Sequence, residues 1–182
     1  AFIKAMEYRG LSTEYETREV DPVQQIVTPA EDTLRKLNCD IRRMGARRIP
    51  DFEEIVRHEG NISEVTDIWG CLWRMNELKD FYYNQYTFPL SAFNSIGEGL
   101  KHYKVPDISV HAEIIRKDLS EQAKNISDSG VIVDRNCAGL TETSLRIRGY
   151  ENWYLDTVMD QAGVENLLDV VLDYKWQYWE LV

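Results

Sequence analysis

Cysteine is scarce in this chain, and the three present (Cys39, Cys71 and Cys137) are an odd number with no Cys-x-x-Cys spacing. That excludes a self-contained disulfide framework or a thiolate zinc site and points to a reducing compartment. Histidine is as sparse: His58, His102 and His111 fall in neither a His-x-x-x-His nor a His-Glu-x-x-His spacing, so no metal ligand set is expected. Long apolar runs are missing too. The longest are short pieces such as Val131-Ile132-Val133 and Val170-Val171-Leu172, against the roughly 18–20 residues of a membrane helix. Any role at a membrane is therefore expected through a partner. Positive charge is in deficit, with 21 Lys and Arg against 31 Asp and Glu and a net charge of −10. A phosphate-binding protein usually carries the opposite balance, so no nucleic acid is expected.

Motifs of catalysis are lacking as well. Gly97-Glu98-Gly99 is a fragment of a phosphate loop without the other glycines or a preceding strand, and reads as close helix packing. Glu53/Glu54 and Asp156/Asp160, with Glu142, offer carboxylates for acid–base work or a cation, but 31 acidic residues make chance pairs common. There is no nucleophile elbow, P-loop, Cys/His dyad or haem-attachment motif. No catalytic residue, cofactor, metal ligand or small-molecule substrate is expected. The sequons Asn61-Ile62-Ser63 and Asn125-Ile126-Ser127 are too common by chance to argue for secretion. A first residue of Ala rather than Met fits a processed or a trimmed form, and no signal peptide or transit segment is expected within the chain.

What is there is an ordinary globular balance, 43% hydrophobic and 29% charged, over 182 residues, enough for one domain with its own core. Residues 1–27 read as an irregular arm broken by Gly10 and Pro22. Thr28-Pro29-Ala30-Glu31 reads as a capping box opening a helix with Leu34, Leu37 and Ile41 at helical spacing and Gly45 as its stop. Pro50 opens a second helix ending at Gly60. Asn61 with Glu64 opens a third, striped by Val65, Ile68, Trp69, Leu72, Met75 and Leu78. A fourth follows Pro89 with Phe93, Ile96, Leu100 and Tyr103, and Asp107 caps a fifth with Val110, Ile114 and Leu119. Helix starts near 29 and 62 are close to the period of about 34 residues of tetratricopeptide-like units, though without their consensus.

The predicted fold is therefore all-α. Antiparallel, tetratricopeptide-like helix pairs stack side by side over 28–124, and 125–182 add a loop and two helices. Within 125–149, Val131–Val133 and the alternating Leu145-Arg146-Ile147-Arg148 allow a hairpin, but an ordered loop is preferred. Helix returns at Glu151–Ala162, stopped by Gly163, and again from Val164 onward. That last helix is apolar on more than one side, which calls for cover on both faces. Its aromatic end, Trp176, Tyr178 and Trp179, is an expected partner-binding surface, with core packing the even alternative. The one basic cluster, Arg42, Arg43, Arg47 and Arg48, reads as a helix end or the docking point of an acidic partner.

Residues Ser12 to Pro106 resemble the nuclear-encoded cytochrome c oxidase subunit called Va in mammals and VI in yeast. The resemblance lies in Tyr15-Glu16-Thr17-Arg18-Glu19-Val20-Asp21, in Leu37-Asn38-Cys39, and in Pro50-Asp51-Phe52-Glu53-Glu54-Ile55-Val56-Arg57. Asn61–Leu72 and the run from Phe93 through Leu100 to Val105-Pro106 continue it. His58-Glu59-Gly60-Asn61 stands where the family has Arg-Arg-x-Asn-Asp, and residues 107–182 extend past its usual end. The resemblance implies helix pairs stacked in a right-handed superhelix and a noncatalytic structural or regulatory subunit on the matrix side of the mitochondrial inner membrane, without haem or copper of its own. Its partners would be the other protein subunits of that respiratory complex. Two other readings stand beside it. One is a helical adaptor of another assembly, such as a mitochondrial ATP synthase. The other is a small cation-dependent enzyme, which a thermal-shift screen with magnesium, manganese and calcium would reveal.

Overall fold

A computed structural model describes residues 2–10, 15–21, 23, 26–45, 57–124, 126, 130–133 and 138–182. Their order is α1 (Phe2–Tyr8), β1 (Tyr15–Asp21), β2 (Ile26–Pro29), α2 (Glu31–Lys36), β3 (Ile41–Met44), β4 (Arg57–Glu59), β5 (Ile62–Thr66), β6 (Leu72–Asn76) and β7 (Asn84–Gln85). Then come α3 (Ile96–Leu100), a 3-10 turn at Ser109–His111, α4 (Ala112–Lys124), β8 (Gly130–Val133), α5 (Leu140–Arg148), α6 (Tyr150–Met159) and α7 (Gln161–Leu181). The fold is mixed, not all-α, and among the described residues of 28–124 the expected tetratricopeptide-like helix pairs give way to the strands β3 to β7 set between α2 and the later helices α3 and α4.

The correction is clearest at residues 57–85, where β4, β5, β6 and β7 form an antiparallel meander in chain order. The apolar positions 65, 68, 69, 72 and 75 suit a helical stripe, but they also suit two strands joined by a turn. Local chemistry decides for the strands. Ile62, Val65 and Thr66 are β-branched and favour a pleated surface. Asp67 and Gly70 then bracket a tight turn, with Gly70 in the left-handed region at φ 77°. Ser63 and Val65 face the core on β5 and Trp73 does so on β6, the period of two that a strand requires. Gly60, expected to stop a helix, is instead at φ 60° in the Gly60-Asn61 connection between β4 and β5.

The other departures follow the same logic. Thr28 and Pro29 end β2, and α2 opens two residues later at Glu31 with Ala30 as its N-cap. Asn38, at φ 53°, lies just beyond α2, so Ile41 and Arg42 lie on a strand. That strand, β3, pairs in parallel with β8, Ile41 opposite Gly130, across a long crossover containing the meander and α4. Gln122 of α4 completes the link: its amide donates to Gly45 O at 2.8 Å and accepts from Gly45 N at 3.3 Å. Over 125–149 the preferred ordered loop is overturned: Gly130–Val133 is a strand, the alternative allowed there, though paired with β3 and not in a hairpin, and Leu145–Arg148 is the last turn of α5. The second helix expected after Pro50 falls mostly outside the described residues.

The core joins the meander to the C-terminal helices. Trp69, Trp73, Tyr83, Leu90 and Ile96 pack with Ile108, Ile115, Ile147 and Trp153 and with the inner stripe of α7, Val164, Leu167, Val171, Tyr174 and Tyr178. That stripe repeats every three or four residues, and Tyr174 meets Trp69 edge-on with ring centroids 4.8 Å apart. The end of α5 supplies the polar half of the joint. A helix leaves its last carbonyls without internal partners. Here Arg146 O accepts Gln85 Nε2 at 2.7 Å and Ile147 O accepts Leu90 N at 2.9 Å. Gly149, at φ 90°, then turns the chain sharply into α6.

Candidate functional site

The helical hairpin α6–α7 sets the most distinctive surface of the protein. One residue separates the two helices: Asp160, whose carboxylate accepts the Gly163 N–H at 3.1 Å and caps α7. Gly163, expected to stop a helix, sits inside the first turn of α7. On its inner side α6 commits Trp153 and Asp156 to the interior. Arg148, itself buried, donates from Nε to Asp156 Oδ2 at 2.6 Å and from Nη1 to Leu90 O at 2.6 Å and Phe93 O at 2.9 Å. One guanidinium thus ties α5, α6 and the segment before α3. A buried guanidinium paired with a carboxylate and donating to two carbonyls has its charge compensated, which holds the hairpin in a fixed orientation.

The outer side is apolar and uncovered. On α6, Tyr154, Leu155, Val158 and Met159 are 64%, 63%, 76% and 81% exposed. They form two i, i+4 pairs, so they share one side of a helix of ten residues. On α7, Leu172, Trp176 and Trp179 are exposed at i, i+4 and i+7, a second stripe offset from the buried one. Trp176 Nε1 donates to Glu180 Oε1 at 2.9 Å, which holds the indole against the helix surface. Single exposed apolar residues are unremarkable, but seven of them fall on these two consecutive helices.

Of the residues singled out from sequence, Trp176 and Trp179 lie on this face. Tyr178 does not: it is buried in the inner stripe with Tyr174, four residues before it. The arginine cluster is split. Arg42 is buried on β3, where it donates to Glu31 Oε2 from Nε at 2.8 Å and to Glu31 Oε1 from Nη2 at 2.9 Å. That guanidinium holds the Glu31 carboxyl below the usual glutamate range. Arg43 is exposed on the same strand, and Arg47 and Arg48 lie outside the described residues. The α6 residues were missed by sequence reasoning. Their signal was present: within Tyr150–Met159 only Glu151, Asn152, Asp156 and Thr157 are polar, too few for one buried and one wetted face.

Other groupings bring polar or reactive side chains together. An open cleft of about 440 Å³ lies where α3 approaches α6 and α7, lined by Asn94, Ser95, Asp156, Asp160 and Asn166 among others. Both of its acids already serve the scaffold, Asp156 with Arg148 and Asp160 with the α7 cap. On the meander, Ser63 Oγ lies 3.0 Å from His58 Nδ1 and hydrogen-bonds to Glu77, whose Oε1 is 3.4 Å from the same Nδ1. A hydrolytic triad needs the serine and the carboxylate on opposite ring nitrogens, and here both crowd one. The Asp67 carboxylate accepts from Trp69 N, Cys71 N and Trp73 Nε1 at 2.8–2.9 Å, so it is the staple of the β5–β6 turn. Burial pushes the Asp67 carboxyl and the Cys71 thiol up, which leaves Cys71 a poor nucleophile. Among the described residues no group of three or more His, Cys, Asp and Glu is placed to hold a metal ion, and no helix is long and apolar enough to cross a membrane.

Compared with protein-family models, with curated proteins and with solved structures, the chain matches none.

Proposed function

We propose that the protein is a noncatalytic binding module that joins a larger protein assembly through the outer side of α6–α7. One observation carries this reading: two adjoining helices, fixed by the Arg148–Asp156 pair, leave Tyr154, Leu155, Val158, Met159, Leu172, Trp176 and Trp179 in water. Aromatic side chains lose little entropy when they are buried at an interface and contribute a large contact area, so Trp and Tyr are the usual anchors.

A peripheral matrix-side subunit of mitochondrial cytochrome c oxidase is one specific form of this proposal. It rests on the residue resemblance over Ser12–Pro106 alone, because the stacked helix pairs that the resemblance implies are not what those residues form. An adaptor in another assembly uses the same surface.

Affinity purification of the tagged chain from its native source, with mass spectrometry and a haem absorbance spectrum, tests both levels. Co-purifying haem a and catalytic oxidase subunits support the specific form. A different stoichiometric set, lost in a Trp176→Ala, Trp179→Ala double variant, supports the binding module and ends the oxidase reading. A lone monomer from both preparations contradicts the proposal altogether.

A further inference from the structure

Charge on the α6–α7 hairpin is one-sided. From residue 150 to 182 the acids are Glu151, Asp156, Asp160, Glu165, Asp169, Asp173 and Glu180, and the one base is Lys175. Asp156 is buried against Arg148, and Lys175 is buried with its Nζ donating to Ala138 O at 2.7 Å. The exposed charges of the pair are therefore all negative. On α7 they border the aromatic stripe: at 100° per residue, Asp169, Asp173 and Glu180 fall on the flank of Trp176, with Leu172 and Trp179 on its other side. We infer that this face accepts a protein surface with an apolar centre and a lysine- or arginine-rich border, such as a basic amphipathic helix. The inference rests on the docking role proposed above and adds the chemistry of the partner.

The same charge argues against the other occupants. In a symmetric pairing of two copies, each patch meets itself, so the acidic borders of both chains are brought together. An anionic lipid surface repels the same carboxylates. A basic partner gains on both counts, because apolar contact buries the tryptophans while opposite charges meet at a partly dehydrated rim.

The test uses the full chain with two synthetic helical peptides about five turns long, identical in their leucines, one carrying lysines and the other glutamates elsewhere. Binding is read in every variant from the anisotropy of a fluorophore on the peptide, and emission of the exposed Trp176 and Trp179 reports whether it occurs at the face. The lysine peptide is expected to shift that emission to the blue. Its affinity is expected to weaken about tenfold or more as salt shortens the Debye length from about 30 to about 3 Å. The glutamate peptide is expected not to bind. A triple variant, Asp169→Lys, Asp173→Lys, Glu180→Lys, should reverse the preference, with an unchanged far-ultraviolet dichroism spectrum showing that it folds. Equal binding of both peptides overturns the charge inference and leaves the docking surface standing. Lysine-peptide binding retained in Trp176→Ala, Trp179→Ala places the contact elsewhere and overturns it too. If neither peptide binds, and the chain sediments as a dimer or adheres to phosphatidylserine vesicles, the basic protein partner is ruled out. If neither binds and the chain is an inert monomer, the docking surface falls with it.

Discussion

Trp69 and Trp73 on the meander and Trp176 and Trp179 on α7 are the same side chain in opposite situations. The first pair is 8% and 5% exposed, the second 64% and 51%. Around the first pair the backbone is arranged to serve the ring. Asp67 accepts the Trp73 indole N–H, and Trp69 is covered by Tyr174, while its carbonyl accepts the Tyr103 hydroxyl at 2.8 Å. Around the second pair nothing in the described residues closes over the rings, and the polar neighbours are carboxylates of the same helix. Burial of an apolar side chain contributes about 1.5–3 kcal/mol. The meander realises that gain within the chain, while α7 holds it unrealised, as the proposed docking requires.

The sharpest way to break the comparison is to loosen what holds the two regions together. Arg148→Met leaves Asp156 buried without its cation and two carbonyls without a donor, at a cost of about 3–5 kcal/mol. Thermal melting followed by dichroism should show a large fall in midpoint. A fall no greater than that of a surface substitution would mean the pair does not hold the hairpin. Next in size is Asp67→Ala, which strips three donors of their acceptor and should cost about 2–3 kcal/mol.

Its pH dependence has a definite sign. Burial raises the folded-state pKa of Asp67 above its unfolded value. Its contribution is therefore full below the ordinary aspartate range and is lost as pH rises through the raised value. The stability difference between wild type and Asp67→Ala should shrink as pH rises across that window. A difference that grows instead would contradict the assignment. Glu31 behaves in the opposite way: the Arg42 guanidinium lowers its pKa, so its support is present above the ordinary glutamate value and lost as pH falls through the lowered one. Arg42→Gln should flatten that slope in acid melts, a small effect because the Glu31 side chain is half exposed.

Smallest of all for stability is Trp176→Ala with Trp179→Ala, expected within about 0.5 kcal/mol of wild type, as for other exposed sites. Cooperative loss of structure in that variant would make the stripe part of the core and remove the contrast on which the docking role depends.

Legibility in the sequence follows the same division. The inner stripe of α7 and the helical run of α6 are readable because a period of 3.6 persists over many turns in which few polar residues interrupt it. Their junction was misplaced because glycine is a common helix stop, yet Gly163 is where the Asp160 cap needs a close backbone N–H. The meander was hidden because its strands are five residues or fewer, so a period of two has little room to show, and Val65, Trp69 and Leu72 mimic a helical stripe. The clues that favoured strands were the β-branched Ile62, Val65 and Thr66 and the Asp67–Gly70 turn. At the candidate surface, sequence identified Trp176 and Trp179 but could not separate them from Tyr178. Tyr178 continues the inner stripe four residues after Tyr174, whereas Trp176 and Trp179 fall on the second, exposed stripe. In a helix apolar on more than one side the sequence does not say which stripe is covered.

The most direct test of the docking role is photo-crosslinking in the native source, with benzoylphenylalanine replacing Trp176 and, as a control, replacing exposed Glu59 on β4. The account predicts a covalent adduct between position 176 and another protein chain, absent from position 59. Adducts no more abundant at 176 than at 59 would contradict it.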